Sequence, residues 1–458
     1  MNHFVSDVQH HQRERRAEAR GGEAAARQPS AGGRAADSAA GGGAKARRRD
    51  LVMIANNPSA GDKGQQGSAL ASDSRRQRHQ RRIAMDRSQR LLSETCEYLP
   101  AAKRLIRCGR TIRSKDGVKV KRGTDGNVFT SGLSTCGSVW SCPSCSFKIR
   151  VKRALEIALA IVVHLARGGG VLFMTFTMSH ERGEELADVW DILTDGWSYM
   201  TSGEQWRAIK ERFGIVGWIK STEVTHGRNG WHPHLHVLVF TEWPLSPLDS
   251  SDDYWNLRIA LRERWIHRFS SKWGRDVSHE FGLDTIPVKP DESSGIGQYV
   301  TKVGFELALA DRKIGRSEGQ RHPFAIARDA AETGDIADIN LFQEWITASK
   351  RRKCITWSKG LRDQLLGTVE QSDEALAAEE TPGEDLAEIT PALWALIIAR
   401  RDGAKAQMLN GFEAGGLRRG VRVLEDLGLC VEVDTDRPVP LLRPGEPPNN
   451  HQAKEFQS

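Results

Sequence analysis

The apolar residues in the middle of this chain follow two different periods. Helical spacing predicts helices over residues 148–166, 184–199, 204–213, 256–269 and 294–310. Alternation over residues 171–177 (VLFMTFT) predicts a strand, and residues 215–225 (IVGWIKSTEVT) predict a second. The apolar run at residues 231–240 (WHPHLHVLVF) predicts a third, buried strand. Because helices and strands are intermixed, the expected fold class is α+β.

Turn residues join the last two of these strands. Residues 227–230 (GRNG) separate them, which predicts a β-hairpin. A two-residue loop, either RN or NG, places Glu223 opposite His234 or His236, respectively. A three-residue loop would instead turn Glu223 to the other face of the sheet.

His234 and His236 lie two residues apart in a predicted strand and therefore share one face. With Glu223 across the hairpin, they form a predicted metal site; His232, on the same face, is the alternative third ligand. A mixed set of nitrogen and carboxylate ligands with open positions suits Mg²⁺ or Mn²⁺ better than structural zinc. The simpler alternative is a hydrogen-bonded histidine pair that holds no metal.

Four cysteines upstream form a second predicted site. Cys142 and Cys145 make a C-x-x-C pair, Cys136 precedes the pair by six residues, and Cys108 lies further upstream. Four thiolates can close a tetrahedral structural Zn²⁺ site, although this spacing is irregular for a zinc ribbon. A redox-active C-x-x-C pair is the alternative. The other three cysteines are predicted to be isolated core thiols: Cys96, Cys354 and Cys430.

Composition divides the chain and limits its function. Residues 1–85 are rich in Gly, Ala, Ser and Arg and contain no Trp, which predicts a disordered basic tail. The predicted units that follow are a cysteine-rich module (86–150), a main domain (151–365), an acidic linker (366–385) and a small helical appendage with a tail (386–458), whose helices are expected over 391–401 and 417–427. No apolar segment is long enough to cross a membrane, so we expect a cytoplasmic protein whose cysteines are reduced or bind metal.

Charge favours a polyanionic partner. The formal net charge is +7, which fits binding to nucleic acid. Next to the cysteine pair, four basic residues are predicted to contact the phosphate backbone of DNA: Lys148, Arg150, Lys152 and Arg153.

Of the four tyrosines in the chain, Tyr299 has the most reactive sequence environment. It lies three residues before Lys302 in a predicted helix, so the two side chains share a face. A phenol near a divalent cation and a lysine can lose its proton and attack phosphorus. Tyr98, Tyr199 and Tyr254 have ordinary surroundings and are expected to be packing residues.

Three ordered motifs resemble those of rolling-circle plasmid replication initiators, the Rep family of the histidine-hydrophobe-histidine endonucleases. The motifs are FMTFT (173–177), GWHPHLHVLVF (230–240) and YVTK (299–302). TCGSVWSCPSC (135–145) and ITWSKGLR (355–362) also resemble this family, so the likeness covers roughly residues 105–365.

The resemblance implies a fold and an activity. Its fold would be a central antiparallel sheet whose middle strand carries His234 and His236, flanked by helices of which one carries Tyr299. Its activity would be nicking of one strand at the plasmid origin, with tyrosine joined to the 5′-phosphate and the 3′-hydroxyl left as a primer. Implied partners are double- and single-stranded origin DNA, a host helicase and polymerase, and a second copy of the chain in a homodimer.

One position departs from the family pattern. Some relatives carry a glutamate four residues before the tyrosine that activates water for termination, whereas this chain has Gly295. Glu306 and Glu292 are the candidate replacements as acid or base, and either can also be an ordinary surface carboxylate. Alternative functions are a single-strand transposase, a relaxase, or a non-catalytic zinc-stabilised DNA-binding regulator.

Overall fold

The computed structural model describes residues 66–95, 99–115, 117–288, 320–400 and 403–446. The helices are α1 (Gln66–Thr95), α2 (Pro100–Arg107), α3 (Pro143–Ala166), α4 (Leu186–Met200), α5 (Gly203–Arg212), α6 (Asp253–Trp273), α7 (Pro323–Thr333), α8 (Ile336–Ala348), α9 (Leu361–Leu366), α10 (Asp373–Ala378), α11 (Pro391–Ala399) and α12 (Ala404–Asp426). The strands are β1 (Val118–Arg122), β2 (Val128–Ser131), β3 (Gly170–Phe176), β4 (Ile215–Gly227), β5 (Gly230–Thr241), β6 (Leu283–Pro287), β7 (Ile355–Trp357), β8 (Glu384–Ile389), β9 (Val431–Asp434) and β10 (Leu441–Pro444). None of these helices combines the length and apolar character that crossing a bilayer requires.

An antiparallel sheet with the strand order β6-β3-β5-β4-β7 forms the centre of the main domain. The histidine strand β5 is its middle strand. Successive side chains of β5 enter different cores because helices cover both faces. Val237 packs in one core with Trp265 of α6, and Leu238 packs in the other with Ile161 of α3. The predicted α+β class with an antiparallel sheet and flanking helices is confirmed.

The helix next to the cysteine pair begins earlier than predicted. α3 starts at Pro143 rather than at residue 148. The Cys142 side chain caps it by accepting a hydrogen bond from the Cys145 amide, and proline suits the first helical position. The predicted helix over 294–310 lies outside the described residues.

A second sheet joins two distant parts of the chain. Its strand order is β2-β1-β8-β10-β9, and we call residues 118–131 and 384–444 the C-terminal module. Val120, Ala387 and Phe412 lie in its own hydrophobic core. The prediction of a small helical appendage is therefore corrected, because the module is mixed α/β. The β1–β2 hairpin, which was predicted to be part of the cysteine-rich module, completes the sheet of the C-terminal module.

Two other predicted boundaries are also corrected. The tail was expected to end at residue 85, but α1 runs through this point, and its residues Met85 and Leu92 are buried in the main core. Residues 1–65 lie outside the described residues. The expected linker over 366–385 contains α10, which packs against α3 and buries Leu376. Apolar contacts with distant parts of the chain order both segments.

Candidate functional site

The β4–β5 hairpin sets the positions of the predicted metal ligands. Gly227 pairs with Gly230, so the loop consists of Arg228 and Asn229 alone. The two-residue loop is therefore confirmed, and Glu223 lies directly opposite His234. Gly230 has a φ of +86°, a conformation that glycine adopts without steric cost.

Glu223, His234 and His236 converge on one point. The Glu223 Oε2 atom lies 3.1 Å from His234 Nε2 and 2.7 Å from His236 Nε2. The two Nε2 atoms are 3.1 Å apart. Two ring nitrogens and a carboxylate oxygen this close together fit a shared cation, so the group can hold a metal ion.

The surroundings of this group favour an ionised carboxylate and a fixed imidazole. Burial raises the pKa of Glu223, but hydrogen bonds from His234 and His236 outweigh it and hold the pKa below its usual range. His236 Nδ1 lies 3.1 Å from the Thr175 hydroxyl, and its ring stacks on Phe173 at 5.4 Å. Both contacts orient the His236 ring toward the ligand centre.

His232 is not part of the ligand group, although it shares the face. Its Nδ1 lies 2.8 Å from His180 Nε2, and burial lowers the pKa of His232 to about 4. Among the described residues, the structure therefore brings Glu223 and not His232 to the pair. Sequence reasoning missed His180; its position three residues past the FMTFT strand motif, at the same edge of the sheet as the histidines, was the available signal.

A shallow pocket opens beside His232. It is lined by Thr177, Met178, Ser179, His232, Ser278 and Phe281. Phe281 is 70% exposed, which leaves its ring accessible to a flat partner such as a nucleobase.

The four predicted cysteines form one cluster. Cys108 Sγ lies 3.7 Å from Cys142 Sγ and 3.6 Å from Cys145 Sγ, and Cys136 Sγ lies 3.7 Å from Cys145 Sγ. These distances exclude disulfides. They match the edge of about 3.8 Å expected for a tetrahedron of sulfurs about 2.3 Å from a central ion. The cluster can therefore hold a metal ion.

The surroundings of the four sulfurs shift their pKa values in different directions. Hydrogen bonds from the other three thiols lower the pKa of Cys145, whereas burial raises that of Cys142. Backbone amides of Cys136 and Cys145 point at neighbouring sulfurs, 3.3 Å from Cys108 and 3.4 Å from Cys142. Four buried thiolates repel one another, so full deprotonation requires a cation.

The other cysteines occupy varied settings. Cys354 is a core thiol, and burial raises its pKa to about 11. Cys430 is only half-buried, which corrects the prediction that it belongs to a core. Cys96 lies outside the described residues.

The four basic residues of α3 have partners within the protein. Arg150 is 2% exposed; its Nε donates to the Ser146 hydroxyl, and its guanidinium lies 5.1 Å from the centre of the Trp140 ring. Lys148 donates to the carbonyl of Ala377. Lys152 pairs with the Glu379 carboxylate. Burial keeps Arg150 inside the protein, which corrects the prediction that it contacts DNA. Lys148 and Lys152 are only partly buried, and their contact with DNA stays a prediction.

Arg153, the fourth basic residue, fastens α10 to α3. It is 3% exposed and donates to the Gln371 carbonyl and the Asp373 carboxylate at 2.6 and 3.1 Å. Glu156 and Glu370 also pair with it. The cation has a structural role.

We expect Arg153→Ala to lower the free energy of unfolding by about 2–3 kcal/mol, because its carboxylate and carbonyl partners lose their cation. Urea denaturation followed by tryptophan fluorescence measures this loss. Arg104→Ala is the matched control, because that side chain is 65% exposed and 4.0 Å from Glu374; it should cost at most about 0.5 kcal/mol. Equal losses would contradict the structural role of Arg153.

The described tyrosines have structural settings. The Tyr254 hydroxyl donates to the Thr285 carbonyl at 2.7 Å, and this side chain is buried. The Tyr199 ring lies under the guanidinium groups of Arg264 and Arg268. The predicted nucleophile and its neighbours lie outside the described residues; they are Tyr299, Lys302, Glu306 and Glu292. Tyr98 also lies outside the described residues.

Comparison with known proteins identifies the family. A family model described as a replication protein matches residues 131–244, which include β3 and the whole β4–β5 hairpin. The Rep protein of Streptomyces lividans is 30% identical over 370 residues, covering 68% of this chain and 75% of the relative. The Rep protein of Streptococcus pneumoniae serotype 2 is 26% identical over 189 residues, covering 40% of this chain and 51% of the relative.

A Streptomyces cyanogenus protein named neomycin resistance protein is 32% identical over 148 residues, covering 27% of this chain and 34% of the relative. No solved structure matches the chain. The matched segments and the α+β fold define a replication protein. The chain belongs to the Rep family of plasmid replication initiators.

Proposed function

We propose that this protein starts rolling-circle replication by nicking one DNA strand at a plasmid origin. The convergence of Glu223, His234 and His236 on one point carries the proposal. A metal-ligating triad on the middle strand of an antiparallel sheet suits binding of a scissile phosphate at the sheet surface.

The triad would hold Mg²⁺ or Mn²⁺. Carboxylate oxygen and imidazole nitrogen suit these ions, and three protein ligands leave positions open for phosphate oxygens. When bound, the ion would polarise the phosphate and stabilise charge on the leaving oxygen. The cysteine cluster would hold Zn²⁺ as a structural ion, because four thiolates are its preferred closed set.

Tyr299 would be the nucleophile and Lys302 its partner. The phenolate oxygen forms a bond to phosphorus while the bond to the 3′ oxygen breaks, which leaves a 5′-phosphotyrosine and a 3′-hydroxyl. Lys302 would stabilise the phenolate or a phosphate oxygen. Glu306 or Glu292 would activate water or accept a proton at termination. The nucleotide beside the scissile phosphate would stack on Phe281, which is exposed next to His232.

The partners follow from this reaction. Origin DNA is the substrate, a host helicase would unwind the nicked duplex, and a host polymerase would extend the 3′-hydroxyl. A homodimer would place two chains at one origin.

Tyr299→Phe should abolish the covalent protein–DNA adduct, because no hydroxyl remains to attack phosphorus. The assay incubates the protein with supercoiled plasmid carrying its cognate origin and Mg²⁺, then scores nicked circles and the adduct on denaturing gels. Tyr199→Phe is the matched control and should form the adduct normally, because its ring can keep its packing against Arg264 and Arg268.

The outcomes separate the competing functions. An adduct formed by Tyr299→Phe would show that the nucleophile is another residue. Wild-type protein that binds the origin but never nicks it would favour the non-catalytic regulator. Cleavage of single-stranded hairpins, with no cleavage of supercoiled origin plasmid, would favour a transposase or relaxase.

A further inference from the structure

The long helix α12 of the C-terminal module is broken into two. Gly415 and Gly416 have non-helical backbone angles, and Gly416 lies at φ +64° and ψ −154°, a region that only glycine adopts readily. The first half covers residues 404–414 and the second covers residues 417–426. Two helices joined by a short glycine turn form a helix-turn-helix arrangement.

Small residues allow the two halves to cross closely. A Cβ atom at Gly411 would lie 2.9 Å from the Arg419 carbonyl oxygen, and one at Gly420 would lie 2.2 Å from the Phe412 ring. Phe412 and Leu424 are fully buried in the module's core, one from each half. The second half is therefore held rigidly against the first.

The outward face of the second half is basic at its start. Arg418, Arg419 and Arg422 are exposed, and no ion pair or hydrogen bond joins their side chains to the rest of the described chain. The acidic residues Glu425 and Asp426 come only in the last turn. The first two turns therefore present three cations to solvent.

The acidic residue nearest the glycine turn is neutralised by arginines of α1. Glu413 is 3% exposed and pairs with Arg78 at 2.5 Å and with Arg82 at 2.9 Å, both from α1. Its negative charge therefore does not offset the arginines of the second half. The result is a rigid, positively charged helix surface that no described element covers.

We propose that residues 417–426 dock in the major groove of duplex DNA through Arg418, Arg419 and Arg422. An α-helix fits this groove, and in helix-turn-helix proteins the start of the second helix contacts the bases. Arginine pairs with phosphates and with guanine edges. This site lies outside the nicking triad and acts on duplex rather than on the cleaved strand, so the inference does not rest on the proposed nicking reaction.

The experiment uses the full chain and fluorescein-labelled duplexes. A 40-bp duplex selected from a random library by the wild-type protein serves as the probe, and anisotropy gives the dissociation constant at several salt concentrations. R418A/R419A/R422A should weaken binding at least about 30-fold, and the slope of log K against log salt should fall by about 2 to 3.

Two further variants keep this test decisive. R207A/K210A/R212A removes the same charge from the exposed helix α5, where no residue is buried, and should change affinity less than about 3-fold. R422E alone should weaken binding strongly without affecting folding, because this side chain is exposed. The proposal would be overturned if the triple variant kept the affinity and the salt slope of the wild type. It would also be overturned if the wild-type protein selected no duplex from the library. Unchanged duplex affinity in H236A would show that duplex binding and nicking are separate.

Discussion

His236→Ala is expected to reduce strand cleavage by about 1,000-fold or more while leaving duplex DNA binding nearly unchanged. His236 contributes one of three converging ligand atoms, and Glu223 Oε2 lies 2.7 Å from its Nε2. Without this nitrogen, the remaining Glu223 and His234 would hold a divalent ion only weakly. Initial nicking rates on origin plasmid, with duplex affinity measured in parallel, check both halves of the expectation.

Metal affinity gives a readout that does not depend on activity. The electron paramagnetic resonance signal of free Mn²⁺ reports binding to each variant. Glu223→Gln should bind Mn²⁺ weakly, because the amide keeps the shape of the side chain but loses its charge. Thr175→Val should lose about 10- to 100-fold in affinity, because the Thr175 hydroxyl orients His236 without being a ligand.

The matched control for this series is His267→Ala. His267 is exposed on α6 and lies outside the ligand group, so its removal should change neither Mn²⁺ affinity nor nicking. EDTA should stop nicking by the wild-type protein, and added Mg²⁺ should restore it. If His236→Ala nicked DNA at the wild-type rate, the triad would have no part in the mechanism.

The local geometry of the triad was predictable from sequence because it depends on short-range rules. Side chains alternate along a strand, and a two-residue loop fixes the register of a hairpin. These rules placed Glu223 opposite His234 or His236, and the structure selects His234. The choice between Glu223 and His232 needed the structure, because it depends on the His180 ring that engages His232 from another loop.

Contacts between distant segments were not predictable in this way. Val120 of β1 pairs with Ala387 of β8 across more than half of the chain, and neither short strand has a strong pattern of its own. The C-terminal module was therefore missed.

The error at α3 had a different origin. Arg150 and Arg153 each stand four residues before a buried apolar residue, Ala154 and Ile157 respectively, which places them on the buried stripe of the helix. Because the two side chains are charged, they were predicted to lie on the protein surface. The helical positions of the two residues instead indicate burial. The buried charge of Arg153 is neutralised by acidic residues more than 200 residues later in the chain, such as Glu370 and Asp373.

Cys142→Ser is expected to remove bound zinc and to lower the melting temperature by about 10–20 °C. The Cys142 side chain is fully buried in the four-cysteine cluster and also caps α3. A structural zinc contributes directly to folding free energy, and a loss of about 5 kcal/mol corresponds to a shift of this size. Differential scanning calorimetry measures the shift, and inductively coupled plasma mass spectrometry measures zinc, with one ion per chain expected in wild type.

Cys430→Ala is the control, because Cys430 is half-buried and not part of the cluster; it should keep one zinc and nearly the wild-type melting temperature. Wild-type protein without zinc, or Cys142→Ser that retains one ion per chain, would contradict a tetrathiolate site.

Loss of zinc should also separate α3 from the loop that carries Cys108, since no disulfide joins the two. Because α3 contacts β5 through His164, whose Nε2 lies 2.9 Å from the Thr241 carbonyl oxygen, the zinc-free chain should nick poorly even when excess Mg²⁺ is supplied. Zinc would thus support the nicking site through packing alone, and restored zinc should recover both stability and cleavage together.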